Sequence, residues 1–216
     1  MVKQIAKFFF HQLPVNVQKE MLFKKDTFYK DQIIQKWEQE GKPAPPPHII
    51  KQQTISGYQQ QYGYDTLIET GTYLGHMLDR QRTNFSALYS IELSPDFWAY
   101  NVKKFRKYPH IQILQGDSGV LLQTLTKKLT QSAIFWLDGH YSFGTAKGDL
   151  ECPIYAELNA VFDCSVKQHV VLIDDARDFT GANDYPTIDE IRKFVADRGV
   201  KHTFEVKDDI IRIVLL

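Results

Sequence analysis

"TLIETGTYLGHM", residues 66–77, is the stretch whose reading decides the fold. Its apolar run ends in an acid, Glu69. Thr70, Gly71, Thr72, Tyr73 and Gly75 follow, and the chain then turns amphipathic. This is the pattern of a strand that passes through a glycine turn into a helix. A carboxylate beside such a turn is unusual for a phosphate site. Pyrophosphate wants bare amides at a helix N-terminus, and a neighbouring anion repels it. The dinucleotide fingerprint GxGxxG is also missing, because Gly71 and Gly75 give only GxxxG. The stretch suits a ligand that carries an ammonium and a sulfonium.

The same strand-then-helix rhythm runs outward to the C-terminus. Residues 48–63 read as a helix, which Gly57 weakens, and "YDTLIE" as a strand. "SALYSIEL", "HIQILQG", "SAIFWLDG" and "QHVVLIDD" read as further strands with helices between them. Ser94 and Pro95 mark a helix start, and Gly199 a helix end. "KHTFEVKDDIIRIVLL" reads as two strands turning at Asp208 and Asp209. The expected fold is α/β: a Rossmann-like, doubly wound sheet of seven strands, mostly parallel, with a C-terminal antiparallel hairpin. Runs such as "AIFWL" and "HVVLI" suit strands buried on both faces.

Residues 1–47 differ. "GKPAPPPH" forces an extended connector after a Lys- and Gln-rich segment with helical spacing at Ile33, Ile34 and Trp37. The expected organisation is an N-terminal helical arm with a proline-rich linker, residues 1–47, and one domain over residues 48–216. The arm reads as a substrate lid or a membrane-surface helix, or as an extra helical layer on the domain or on a second subunit. The second reading is preferred, with the arm bordering the substrate entrance.

Composition excludes several classes. Twenty-six basic residues balance 26 acidic ones, so nothing global favours nucleic acid or an anionic membrane. No apolar run reaches the roughly 18–20 residues of a membrane span. The N-terminal apolar run is too short for a signal peptide. Two cysteines, Cys152 and Cys164, make neither a disulfide framework nor a zinc pattern, and a cytoplasmic location is expected.

Five successive strands end in acids: Glu69, Glu92, Asp117, Asp138, and the pair Asp174 and Asp175. Any one of them reads as a helix cap or turn former. Five around one crevice repel each other unless a cationic ligand or a metal fills it.

"LIETGTYLG" resembles motif I of class I S-adenosylmethionine-dependent methyltransferases. Glu92, 21 residues after Gly71, falls where that family holds the ribose hydroxyls. "QGDS" resembles the segment whose Asp contacts adenine. The terminal hairpin resembles that fold's antiparallel strand. The likeness covers residues 48–216, with Thr72 in place of a common glycine. It implies S-adenosylmethionine as cofactor, held by Glu69, Gly71, Thr72, Gly75, Glu92, Asp117, Ser118 and Asp138. Asp138 with Asp174 and Asp175 also resembles the layout of metal-dependent O-methyltransferases of the catechol and macrocin types. That implies Mg²⁺ on these three acids, polarising a substrate hydroxyl. The plainer reading has Asp138 and Asp174 capping loops.

His140 reads as a general base beside Asp138, or as a bystander in a glycine-containing loop. Tyr141, Lys147, Asp149 and Arg177 are candidates to line the acceptor pocket. The expected reaction moves a methyl group to a small-molecule or sugar hydroxyl, with a homodimer as a possible assembly. The "NPPY"-type signature of amino-group methylation is absent. Competing readings are an NAD-dependent oxidoreductase, to which Glu92 also fits, a metal-dependent hydrolase using Asp138, His140, Asp174 and Asp175, and a non-catalytic binding module.

Overall fold

The structure is a computed structural model that describes residues 13–139 and 152–216. Two helices, α1 (Val15–Phe28) and α2 (Lys30–Gln39), form the arm, and α3 (His48–Tyr62) follows the proline link. Then come β1 (Thr66–Thr70), α4 (His76–Gln81), β2 (Ala87–Glu92), α5 (Pro95–Phe105), β3 (Ile111–Gln115), α6 (Ser118–Thr126) and β4 (Ala133–Leu137). The chain continues through α7 (Ile154–Phe162), β5 (Val170–Ile173), a 3₁₀ turn (Ala176–Asp178), α8 (Ile188–Asp197), β6 (His202–Lys207) and β7 (Ile210–Leu215).

The seven strands form one sheet in the order β3-β2-β1-β4-β5-β7-β6. Strands β1 to β5 run parallel, and β7 lies antiparallel between β5 and β6. The order reverses at β1, whose neighbours are β2 and β4. A crevice at the carboxyl ends of β1 and β4 is the expected place for a ligand in such a sheet.

Period-two alternation divides the apolar residues between two cores. On one face Leu67, Leu88, Ile134, Trp136, Val170, Leu172 and Val214 pack with Ile55 of α3, Leu78 of α4 and Phe105 of α5. On the other, Ile68, Ile91, Phe135, Leu137, Val171, Ile173 and Ile213 pack with Leu122 of α6, Leu158 of α7 and Ile191 of α8. The buried runs of β4 and β5 thus feed both layers, as their unbroken hydrophobicity predicts. Gly57 does not interrupt α3, where nothing presses on its α-carbon. The helix after the glycine turn is shorter than the sequence implies, only six residues. Ser94 caps α5, with Pro95 at its first position. Gly199 takes the left-handed conformation after α8.

The arm docks on the core, and it does so at the glycine turn. Glu20 of α1 meets Lys104 Nζ at 2.8 Å and His76 Nε2 at 3.4 Å, and Tyr100 donates to it at 3.1 Å. Phe23 stacks on the His76 ring at 4.1 Å, and Lys19 hydrogen-bonds the Tyr73 hydroxyl. These partners belong to the loop after β1, to the start of α4 and to α5. The arm therefore packs on the core domain, beside the glycine turn. Charged and ring contacts to the loop outnumber what apolar spacing could reveal.

A third, small core joins the arm to α3. Trp37 is buried against Ile49 and Ile50, with Ile33 and Ile34 beside it, and its indole donates to the Pro43 carbonyl at 2.9 Å. Trp37→Ala is expected to remove about 3–5 kcal/mol of docking free energy. Limited proteolysis will then cleave in residues 13–47 while the sheet resists. An arm that stays as resistant as in the parent would contradict this placement.

Candidate active site

Glu69 stands next to last in β1, opposite Ser90 of β2 in the strand register. It is 2% exposed, and its carboxylate accepts from Ser90 Oγ at 2.5 Å. Ser90 Oγ in turn lies 2.6 Å from Thr72 Oγ1, so the glycine turn is tied to both strands. Burial raises the Glu69 pKa to about 8, against the Ser90 hydrogen bond, with the Glu92 charge adding to the rise.

Glu92 ends β2, buried. Its Oε2 accepts from Tyr73 N at 2.7 Å and its Oε1 from Ser94 N at 2.8 Å. Burial raises its pKa, and those backbone hydrogen bonds oppose the rise. The loop around it is tight. Gly71 has φ +81°, and a Cβ there would lie 2.2 Å from the Asp138 carbonyl oxygen. Gly75 has φ +69°, and a Cβ would lie 2.3 Å from Asn101 Oδ1. Both glycines are therefore required by conformation and by space. The cradle is made by backbone from two strand ends, β1 and β4.

Asp117 caps α6, accepting from Gly119 N at 2.8 Å. Its plainer reading as a helix cap is thus realised. Ser118 is buried on the first turn of the same helix. Gly139 packs between Ser118, Thr70 and Glu157: a Cβ on it would lie 3.0–3.1 Å from their side-chain oxygens. Glu157 is fully buried in α7, and burial raises its pKa to about 7.

On the other side of the switch point, Asp138 N donates to the Thr70 carbonyl and to Thr70 Oγ1, each at 3.2 Å. Asp174 N donates to the Leu137 carbonyl at 3.0 Å. These bonds extend the sheet register one step past each strand and bring the acids together. Asp138, Asp174 and Asp175 each place a carboxylate oxygen within 4.8 Å of the others, as the sequence predicts.

What the sequence did not reveal is the cation already there. Lys51, on α3, places its ammonium 2.5 Å from Asp174 Oδ2 and 3.1 Å from Asp175 Oδ1. Arg177 lies 2.9 Å from Asp175 Oδ1 and also pairs with Asp209. Burial and the charge of Asp174 hold the Asp138 pKa well above the usual carboxylate range, with Lys51 opposing. Burial brings Asp174 up to about 6, opposed by Lys51. Burial also raises Asp175, but Lys51 and Arg177 outweigh it and leave the group below its ordinary value. At neutral pH the two ionised acids thus face two cations.

This arrangement does not fit Mg²⁺. The ion needs oxygens at about 2.0–2.1 Å in near-octahedral geometry. It would share Asp174 and Asp175 with an ammonium in hydrogen-bond contact. Like unit charges 4 Å apart repel by about 4 kcal/mol near a protein surface. His140, Tyr141, Lys147 and Asp149 lie outside the described residues.

No protein-family model matches the chain. No curated protein matches it either. Solved structures do. The O-methyltransferase from Bacillus cereus, in complex with SAH, is 13% identical, with a TM-score of 0.57 over 89% of this chain and 97% of that one. The O-methyltransferase TomG from Streptomyces achromogenes, in complex with SAM, is 15% identical, with a TM-score of 0.56 over 86% and 88%. SAH-bound methyltransferase PaMTH1 from Podospora anserina is 13% identical, with a TM-score of 0.54 over 100% and 95%. The fold is that of class I S-adenosylmethionine-dependent methyltransferases. It is a populous one, with 620 matching chains, so the likeness fixes architecture and leaves the acceptor open.

Gly71→Ala places a methyl group against the Asp138 carbonyl and asks alanine for a left-handed conformation. The conformation alone costs about 1–2 kcal/mol. A loss of at least 2 kcal/mol is expected in chemical denaturation, with the clash included. A neutral substitution would show that β1 and β4 do not meet at this turn.

Proposed function

We propose that the protein transfers a methyl group from S-adenosylmethionine to an acceptor hydroxyl on a small molecule or sugar. The observation that carries this reading is the buried Glu69 beside a glycine cradle too tight for any side chain. A carboxylate in that place disfavours pyrophosphate and favours a cation, which speaks against the NAD-dependent reading. The solved methyltransferases of the same fold, two of them titled O-methyltransferases, support it.

The residues fit the cofactor. Glu69, Gly71, Thr72, Gly75, Glu92, Asp117, Ser118 and Asp138 surround the ends of β1 to β4, and their only ionisable groups are acids. When bound, S-adenosylmethionine supplies a methyl group activated by its sulfonium. Glu92 is the proposed acceptor for the ribose hydroxyls. Its two backbone hydrogen bonds fix its orientation and leave carboxylate lone pairs for them. Asp117, which follows β3 and is held by Gly119 N, is the proposed contact for the adenine. Gly71 and Gly75 let the backbone approach the cofactor closely. The chain's contribution to rate is alignment of donor and acceptor in line, worth several kcal/mol when the geometry is held. His140, two residues past Asp138, is the proposed general base for the hydroxyl proton. No step runs through Mg²⁺. The hydrolase reading, which needs that ion, loses its support for the same reason.

Calorimetry will show S-adenosylmethionine binding that Glu92→Ala weakens by about 1–3 kcal/mol. Tight NAD binding with none of S-adenosylmethionine would overturn the reading.

The pH dependence follows from Glu69. Its pKa rises from 4.5 to about 8 in the free protein. Protonated Glu69 therefore stabilises the ligand-free fold at low pH, and that contribution is lost as pH climbs through about 8. A cationic ligand favours the ionised form, so binding releases a proton below that pH. Affinity should rise between pH 6 and 8, by at most about tenfold per unit, and level off above. Glu69→Gln should flatten the curve. An affinity that falls over this range would place the positive charge of the ligand elsewhere.

A further inference from the structure

We propose that Lys51 occupies the position a divalent cation would take among Asp138, Asp174 and Asp175, so that the site works with a built-in ammonium and without a metal. The proposal goes beyond the methyl-transfer reading in one respect: it assigns the charge partner of the acceptor-side acids. It rests on that reading only for the name of the reaction.

Three observations converge. The carboxylates lie close enough to share one cation, within 4.8 Å of each other. The Lys51 ammonium contacts two of them, at 2.5 and 3.1 Å, from a side chain that is 14% exposed. Its helix is fixed: Ile49 and Ile50, the two residues before Lys51, are buried against Trp37, and Ile55 is in the sheet core. The ammonium is therefore delivered by a rigid element rather than by a wandering surface lysine. Arg177 engages Asp175 and Asp209, which keeps Asp175 turned into the cluster.

Lysine and a hydrated magnesium ion differ in what they offer an acceptor. An ammonium gives three hydrogen-bond donors and a single charge on a flexible stem. Two donors are directed at Asp174 and Asp175, and Lys51 orients those acids as a positioning residue. An ion would instead hold acceptor oxygens directly as ligands and acidify them. In this protein the deprotonation of the acceptor therefore falls to a side chain.

The test uses the full chain and Mn²⁺ alone, read by the loss of its free electron paramagnetic resonance signal. Cofactor and acceptor are left out, so the outcome does not depend on whether the protein is a methyltransferase. The parent protein is expected to leave Mn²⁺ free up to 1 mM, on the order of the cellular metal range. Lys51→Ala is expected to bind one Mn²⁺ at least tenfold more tightly than the parent, and Lys51→Ala with Asp174→Asn to lose it again. Mg²⁺ should raise the melting temperature of Lys51→Ala and leave the parent unchanged, which a merely structural lysine would not produce. One tight Mn²⁺ on the parent, abolished by Asp174→Asn, would overturn the proposal. So would a folded Lys51→Ala that takes up no Mn²⁺. If Lys51→Ala does not fold, the parent titration still decides: metal bound at the acids refutes the proposal, and metal left free while Asp174→Asn lowers stability supports it. Failure of S-adenosylmethionine to bind the parent is a separate result that removes the methyl-transfer reading alone.

Discussion

The ion pairs from Lys51 to Asp174 and Asp175 are the interaction on which the strand-end arrangement depends. The parallel register leaves little choice about where the acids go. Asp138 is hydrogen-bonded to Thr70 of β1, and Asp174 to Leu137 of β4, so each acid is carried to its place by the neighbouring strand. Brought together without a counter-charge, they would repel one another in a partly dry crevice. Lys51 comes from α3, 123 residues away along the chain from Asp174. That helix is fixed on either side of Lys51, by Ile55 in the sheet core and by Ile49 and Ile50 on Trp37. The proline link and the arm therefore bear on the site through one buried tryptophan.

The half built on β1 and β2 is organised differently. There the negative groups are held by neutral donors: Ser90 on Glu69, and the amides of Tyr73 and Ser94 on Glu92. Burial pushes both carboxyls up, and it takes Glu69 to about 8, so Glu69 is largely protonated near neutral pH. The two halves thus solve the same problem in opposite ways. One brings in fixed cations; the other buries Glu69 as a largely neutral acid and holds Glu92 with backbone amides. Glu69 adds to the rise at Asp138 across the switch point, a small link between the two halves.

The fold was legible in the sequence because its strands are either unbroken apolar runs or alternating ones, and because punctuation such as Ser94, Pro95 and Gly199 sits where helices begin and end. The acids were legible for a related reason: strand ends are marked by the change from apolar to polar, and one residue type recurs there. Lys51 was not legible. It lies in "HIIKQQT", a helical segment with no chemical motif, and only the tertiary approach of α3 to β5 gives it a role. The docking of the arm was half legible. Trp37 stood out as an apolar residue that a free tail would not need. Glu20, Lys104 and His76 are ordinary surface residues in sequence and become partners only when α1 meets α5.

Much of the charge pairing at the strand ends comes from outside the sheet. The strand order, the glycine cradle and the hairpin are properties of a fold that many proteins share, and they say where a ligand sits rather than which acceptor it meets. The arm and the proline link lie outside the two sheet cores, yet they brace α3, which carries Lys51 to Asp174 and Asp175, and they bring Glu20, Phe23 and Lys19 to the glycine turn. A change in the arm therefore reaches both halves of the site at once, through α3 on one side and through Tyr73 and His76 on the other. The sheet fixes where the acids stand, and the N-terminal helices bring Lys51 to Asp174 and Asp175 and Lys19 to Tyr73.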